Sequence, residues 1–171
     1  MALYVDVDLL ERAIGRNGVR VAEQAREEID NWVISSEARR AVLHAVRVLN
    51  HLQVLPVGLE SAIHVPKAIF YSAIVVYGYI KFTPTADSYT PSQDDANIPE
   101  LQVSEPVARP ISYFGKNDGA STVIFSTVDL SLLCNAIDLL RRISNWEISR
   151  KFSLILELLL DDLATTPRGP L

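Results

Sequence analysis

The stretch Pro66–Phe82, PKAIFYSAIVVYGYIKF, decides how the rest of the chain is read. From Ala68 to Ile80 it holds no charge, and Ser72, Gly78 and three tyrosines interrupt an otherwise aliphatic run. A helix made of these residues has no side meant for water and must be buried all round. Its 13 uncharged residues fall short of the ~20 apolar residues that a membrane span requires. The stretch is therefore expected to be the central helix of a soluble bundle. Pro66 suits the first turn, where its missing N–H is not needed, and Pro84 blocks continuation beyond the far end.

The whole chain has 171 residues, 49% of them hydrophobic, enough for one domain with a substantial core. Asp and Glu number 21 against 16 Lys and Arg, a net charge of −5. That balance, with no basic run, argues against direct nucleic-acid contact by this segment, because neutralising phosphates takes clustered cations on one face. Cys134 is the single cysteine, so a disulfide framework and a cysteine-based zinc site are excluded. Its apolar flanks predict a buried thiol. The N-terminal residues do not resemble a signal peptide, which leaves an intracellular protein as the expectation.

Outward from the central stretch, three amphipathic segments precede it. Val5–Ile14 reads as a short helix capped by Asp6 or Asp8 and broken at Gly15–Gly18. Val19–Val33 carries Val21, Ala22, Ala25, Ile29, Trp32 and Val33 at three-and-four spacing and should lie on the outside. Ser35 or Ser36 caps a third helix from Glu37 to about Leu52, with Ala38, Ala41, Val42, Ala45, Leu49 and Leu52 on one stripe. His64 falls in the connector that follows.

After Phe82 the pattern stops. Thr83–Ser112 contains five prolines and no sustained periodicity, the signature of a long loop where modification or binding can act. Ser121–Ser126 is the one strand-like run, too short to imply a sheet. Helical spacing resumes near Thr127 or Asp129 and lasts to Ile143, with Leu130, Leu133, Cys134, Ile137 and Leu140 inward and Asp138 paired with Arg142 outside. Ser144 and Glu147 fit a capping box for a last helix to about Leu163. Its apolar residues spread so widely, from Ile148 through Leu154, Ile155 and Leu158 to Leu163, that this helix too is expected to be largely enclosed. The reading is all-α: an irregular bundle of about six helices with one long Pro-rich loop. It forms a single domain over residues 1–171, divided into a block at 5–82, a loop at 83–126 and a block at 127–164.

The run SSEARRAVLHAVRVLNHL, a Pro-containing gap and AIFYSAIVVYGYIKF together resemble the helical C-terminal regulatory region of fungal-specific transcription factors of the zinc-finger and binuclear zinc-cluster type. The ending LLRRISNWEISRKFSLILELLLDDL is similar to the last two helices of those proteins. The likeness spans Trp32–Phe82 and Leu130–Asp162. It implies a nuclear, non-enzymatic domain that regulates transcription through protein partners, self-association or a small-molecule effector. The zinc module that reads DNA in such regulators has no counterpart in one cysteine and three histidines, so no DNA-binding residue carries over.

No motif for chemistry stands out. His44 and His51 are seven residues apart rather than four, with His64 beyond a helix break, which makes packing a better account than zinc. Asp94-Asp95 and Asp161-Asp162 lack the further carboxylate of a diphosphate-binding terpene cyclase. Gly115–Gly119 lacks the Walker spacing and reads as a turn. No catalytic, cofactor-binding or metal-binding residue is assigned. Arg39-Arg40 and the cluster Arg141, Arg142, Arg150 and Lys151 suit solvated faces paired with Glu37, Asp138 and Glu147, and the second cluster is also a candidate patch for an acidic partner. Phe70, Tyr71, Tyr77 and Trp146 are core aromatics or the lining of a pocket between the central and last helices, the latter being the small-molecule-binding alternative.

Overall fold

The computed structural model describes residues 5–54, 64–83, 130–143 and 146–165. Among these residues there are six helices and no strand: α1 (Val7–Ile14), α2 (Val19–Val33), α3 (Ser36–Gln53), α4 (His64–Phe82), α5 (Leu130–Arg142) and α6 (Glu147–Thr165). The all-α reading therefore holds. The Pro-rich loop after Thr83, the strand-like run 121–126, the Gly115–Gly119 turn, Asp94-Asp95, the caps at Thr127 and Asp129 and the Ser144 end of the capping box lie outside the described residues.

The local signals act as their chemistry requires. Asp6 Oδ1 accepts from the backbone N–H groups of Asp8 and Leu9, supplying partners for two donors that the first turn of α1 leaves unmatched. Gly15 ends the helix in the left-handed conformation at φ 105°, donating its N–H to the Arg12 carbonyl. Ser35 caps α3 by accepting from Ala38 N–H at 3.1 Å. Pro66 is the third residue of α4, still within the turn whose N–H groups have no intrahelical acceptor.

Helix α4 touches each of the other five helices. All eight residues from Ser72 to Tyr79, two complete turns, are buried. The central position expected of this stretch follows from its composition, since only a ring of neighbours covers a helix apolar on every side. Removing each large aliphatic side chain from water is worth about 2 kcal/mol, and Ile69, Ile74, Val75 and Val76 all gain it here. Leu10 of α1 packs against the bare backbone at Gly78, which has no Cβ: one built there would sit 2.6 Å from Leu10 Cδ2. Helix α2 stays peripheral, burying only Ala25, Ile29 and Val33, with Arg26 laid over the Phe82 ring at 5.0 Å.

Four expectations change. His64 begins α4 instead of lying in a connector. Arg39 is buried, not part of a solvated face. Asp138 pairs with Arg141 at 3.9 Å, one residue earlier than the i,i+4 partner expected. Cys134 is exposed, because α5 buries the stripe Leu133, Ala136, Ile137, Leu139 and Leu140. That stripe is centred on Ala136 and Leu140, which rolls Cys134 out beside Asp138 and Arg141.

Candidate interaction surface

The last helix departs furthest from its expected role. Its buried side is narrow, two serines followed by two leucines: Ser149, Ser153, Leu156 and Leu163. Short side chains at the first two positions allow close approach of the neighbouring helices, α4 and α5. Two contacts fix the direction of α6 on α4. Phe70 stacks on Phe152 with ring centroids 4.1 Å apart and planes 11° from parallel. Further along, the Tyr77 hydroxyl donates to Asp162 Oδ2 at 2.6 Å. Both helices advance from the first contact to the second, so they run the same way.

Lys81 completes the second contact, placing Nζ 2.7 Å from Asp162 Oδ2 and 2.9 Å from the Tyr77 hydroxyl. Burial, then the hydrogen bond and negative charge of Asp162, push the Tyr77 phenol far above its ordinary range. Hydrogen bonds from Lys81 and then Tyr77 hold the Asp162 carboxyl below its ordinary range. The side chain of Asp162 is 42% exposed. The arrangement is a polar clasp between two helices, with the phenol inside and the carboxylate at the rim. Its phenol is too strongly held in the neutral form to act as a base near neutral pH.

The opposite side of α6 is apolar and uncovered. Leu158 is 70% exposed, Leu154 59%, Ile148 and Ile155 42% each. The expectation that α6 is enclosed is thus corrected: α4 and α5 pack on its inner side, and these four residues stay exposed. Four large aliphatic side chains on one face of one helix form a patch, unlike scattered exposed apolar residues, and patches of this kind mark contact sites. Charged residues edge it: Glu147, Arg150, Lys151 and Asp161 are all exposed.

Two of the four basic candidates are engaged in ion pairs. Arg141 reaches Glu157 of α6 at 3.0 Å, and Lys151 bonds Glu147 at 2.8 Å. Arg142 and Arg150 are exposed. Of the pocket candidates, Phe70 and Tyr71 have ring centroids 5.9 Å apart. Phe70 is buried in its stack with Phe152, while Tyr71 is half-buried with Lys67 Nζ 5.3 Å from its ring centroid. Tyr77 lies two turns beyond Phe70 in the clasp, and Trp146 is 40% exposed just before α6.

A cleft does lie elsewhere, between α3 and α4, with a volume near 370 Å³. His44, Arg47, Val48, His51, Leu52, His64, Val65 and Ala68 line it. His64, the first residue of α4, joins His44 and His51 of α3 in this lining. Even so, no group of three or more His, Cys, Asp or Glu among the described residues is placed to hold a metal ion. Among the same residues no helix is long and apolar enough to cross a membrane.

Comparison with protein-family models, curated proteins and solved structures finds no match for this chain. The exposed face of α6 was within reach of the sequence only in part. Its apolar residues are plain to read, but a stripe wide enough to bury on both sides looks the same as one buried on a single side.

Proposed function

We propose that this chain is a non-enzymatic interaction module, acting through protein partners bound on the outer face of α6, and that the context of that interaction is regulation of transcription. The observation that carries the interaction is the uncovered row Ile148, Leu154, Ile155 and Leu158 on a helix otherwise clasped to the core. Keeping such a row in water is unfavourable, and a partner surface removes it. The transcriptional context rests on the resemblance in residues 32–82 and 130–162, and a nuclear location follows from that resemblance alone.

A reporter assay tests the proposal. The chain is fused to an unrelated DNA-binding module, and output is compared with that of the module alone. A severalfold change in reporter output is expected, lost in the Leu154→Glu/Leu158→Glu variant although the variant accumulates to the same level. Output equal to that of the module alone rejects the regulatory reading. A second reading, a small-molecule sensor, draws on the α3–α4 cleft, whose volume lies at the lower end of ordinary ligand pockets of roughly 300–1,000 Å³. It places the effector away from the α4–α6 contact, where Phe70 and Phe152 fill the space.

A further inference from the structure

The exposed face of α6 has a periodicity of its own. Glu147, Lys151, Leu154, Leu158, Asp161 and Thr165 recur at alternating steps of four and three residues. That is the spacing of a helix seam that faces another helix along its length. The seam is charged at both ends and apolar in the middle: acidic and basic at Glu147 and Lys151, leucine at 154 and 158, acidic at Asp161. Leu154 and Leu158 are also the two most exposed side chains of the patch.

We infer that this seam binds a second copy of the chain, with the two α6 helices antiparallel. Reversing one helix about Leu156 sets Leu154 against the second copy's Leu158 and Lys151 against its Asp161, each contact occurring twice by symmetry. An isologous two-fold interface demands this kind of self-complementarity, since one patch must match itself. The parallel arrangement places Lys151 on Lys151 and Asp161 on Asp161 and is opposed by like charges. Ile148 and Ile155, on one flank, widen the apolar strip, and Arg150 lies on the other. A single helix face is small beside the ~800 Å² per partner of a standard stable interface. The association is therefore weak, reversible and sensitive to concentration. This inference rests on reading the outer face as an interaction surface, and it names the partner.

Sedimentation of the full chain from about 5 to 500 µM tests it, this being the range in which a small interface shows. A monomer–dimer equilibrium is expected, with Leu158→Glu weakening dimerisation at least tenfold and Lys151→Glu weakening it severalfold. Orientation is read in a Cys134→Ser background by mixing a Leu154→Cys chain with a Leu158→Cys chain under mild oxidation. The mixed disulfide should form at least ten times faster than either disulfide between identical chains. A chain that stays monomeric throughout, a dimer indifferent to both substitutions, or dominance of disulfides between identical chains overturns the inference. A monomer that still alters reporter output leaves the regulatory reading standing with a different partner on the same face, so the two failures are distinguishable.

Discussion

Gly78→Val is expected to cost about 3 kcal/mol of stability, the upper end of the penalty for inserting bulk into a packed core. The cause is specific. Leu10 Cδ2 stands 2.6 Å from the position of a Cβ at residue 78, and Leu10 is fully buried, so the leucine has to turn or shift within a packed core. A glycine in mid-helix sacrifices up to ~1 kcal/mol of helix propensity relative to alanine. Here that sacrifice allows α1 to approach the backbone of α4. Denaturant unfolding of Gly78→Val, Leu10→Ala and the double variant forms a cycle. Leu10→Ala alone should cost about 3 kcal/mol by leaving a cavity, and the double variant should cost less than the two changes added, by about 1–2 kcal/mol. Strict additivity would show that the two residues do not share the same space.

Tyr77→Ala is expected to be at least as damaging, about 4 kcal/mol, because it removes a fully buried ring and breaks the clasp to α6 together. Tyr77→Phe separates the two contributions. It keeps the ring and loses the hydroxyl's bonds to Asp162 and from Lys81, while Lys81 and Asp162 keep their own contact, so about 1–2 kcal/mol should go. The pH dependence identifies the phenol. Its folded pKa lies above the ordinary 10.0, so its stabilisation is complete below that pH and fades as pH rises, when the unfolded chain ionises and the folded chain does not. Asp162 behaves oppositely: its folded value lies below the ordinary 3.8, so its contribution is complete above that pH and fades in stronger acid. Thermal unfolding across the alkaline range should therefore fall less steeply for Tyr77→Phe than for the parent, with the acid arm preserved through Lys81 and Asp162. Parallel alkaline slopes would remove Tyr77 from the clasp.

Much of the architecture could be read from residues alone because the signals are local or all-round. Asp6, Gly15 and Ser35 act within one turn of their own positions. The apolar run of α4 admits only one environment. The exposed apolar face of α6 is hidden for a related reason: α6 carries apolar residues on more faces than its neighbours α4 and α5 bury, and periodicity gives directions without saying how many are occupied. Pairings between distant residues, such as Tyr77 with Asp162, depend on the relative slide of two helices, which no spacing within either helix specifies. Pro66 marks a helix start only to within a turn, so the sequence leaves open that His64 begins α4 and lines the cleft with His44 and His51.

Helix α6 is core on one side and open on the other, and a partner can bind it only if both are so. Aspartate substitution on the two sides measures this directly, read as unfolding free energy at a protein concentration too low for self-association. Leu156→Asp, which forces a carboxylate into a fully buried position, should cost about 4 kcal/mol or prevent folding. Leu158→Asp, at a side chain 70% exposed, should stay within ~0.5 kcal/mol of the parent. Equal losses at the two positions would mean that the outer face is covered within a single chain, and the surface assigned to a partner would not be available to one.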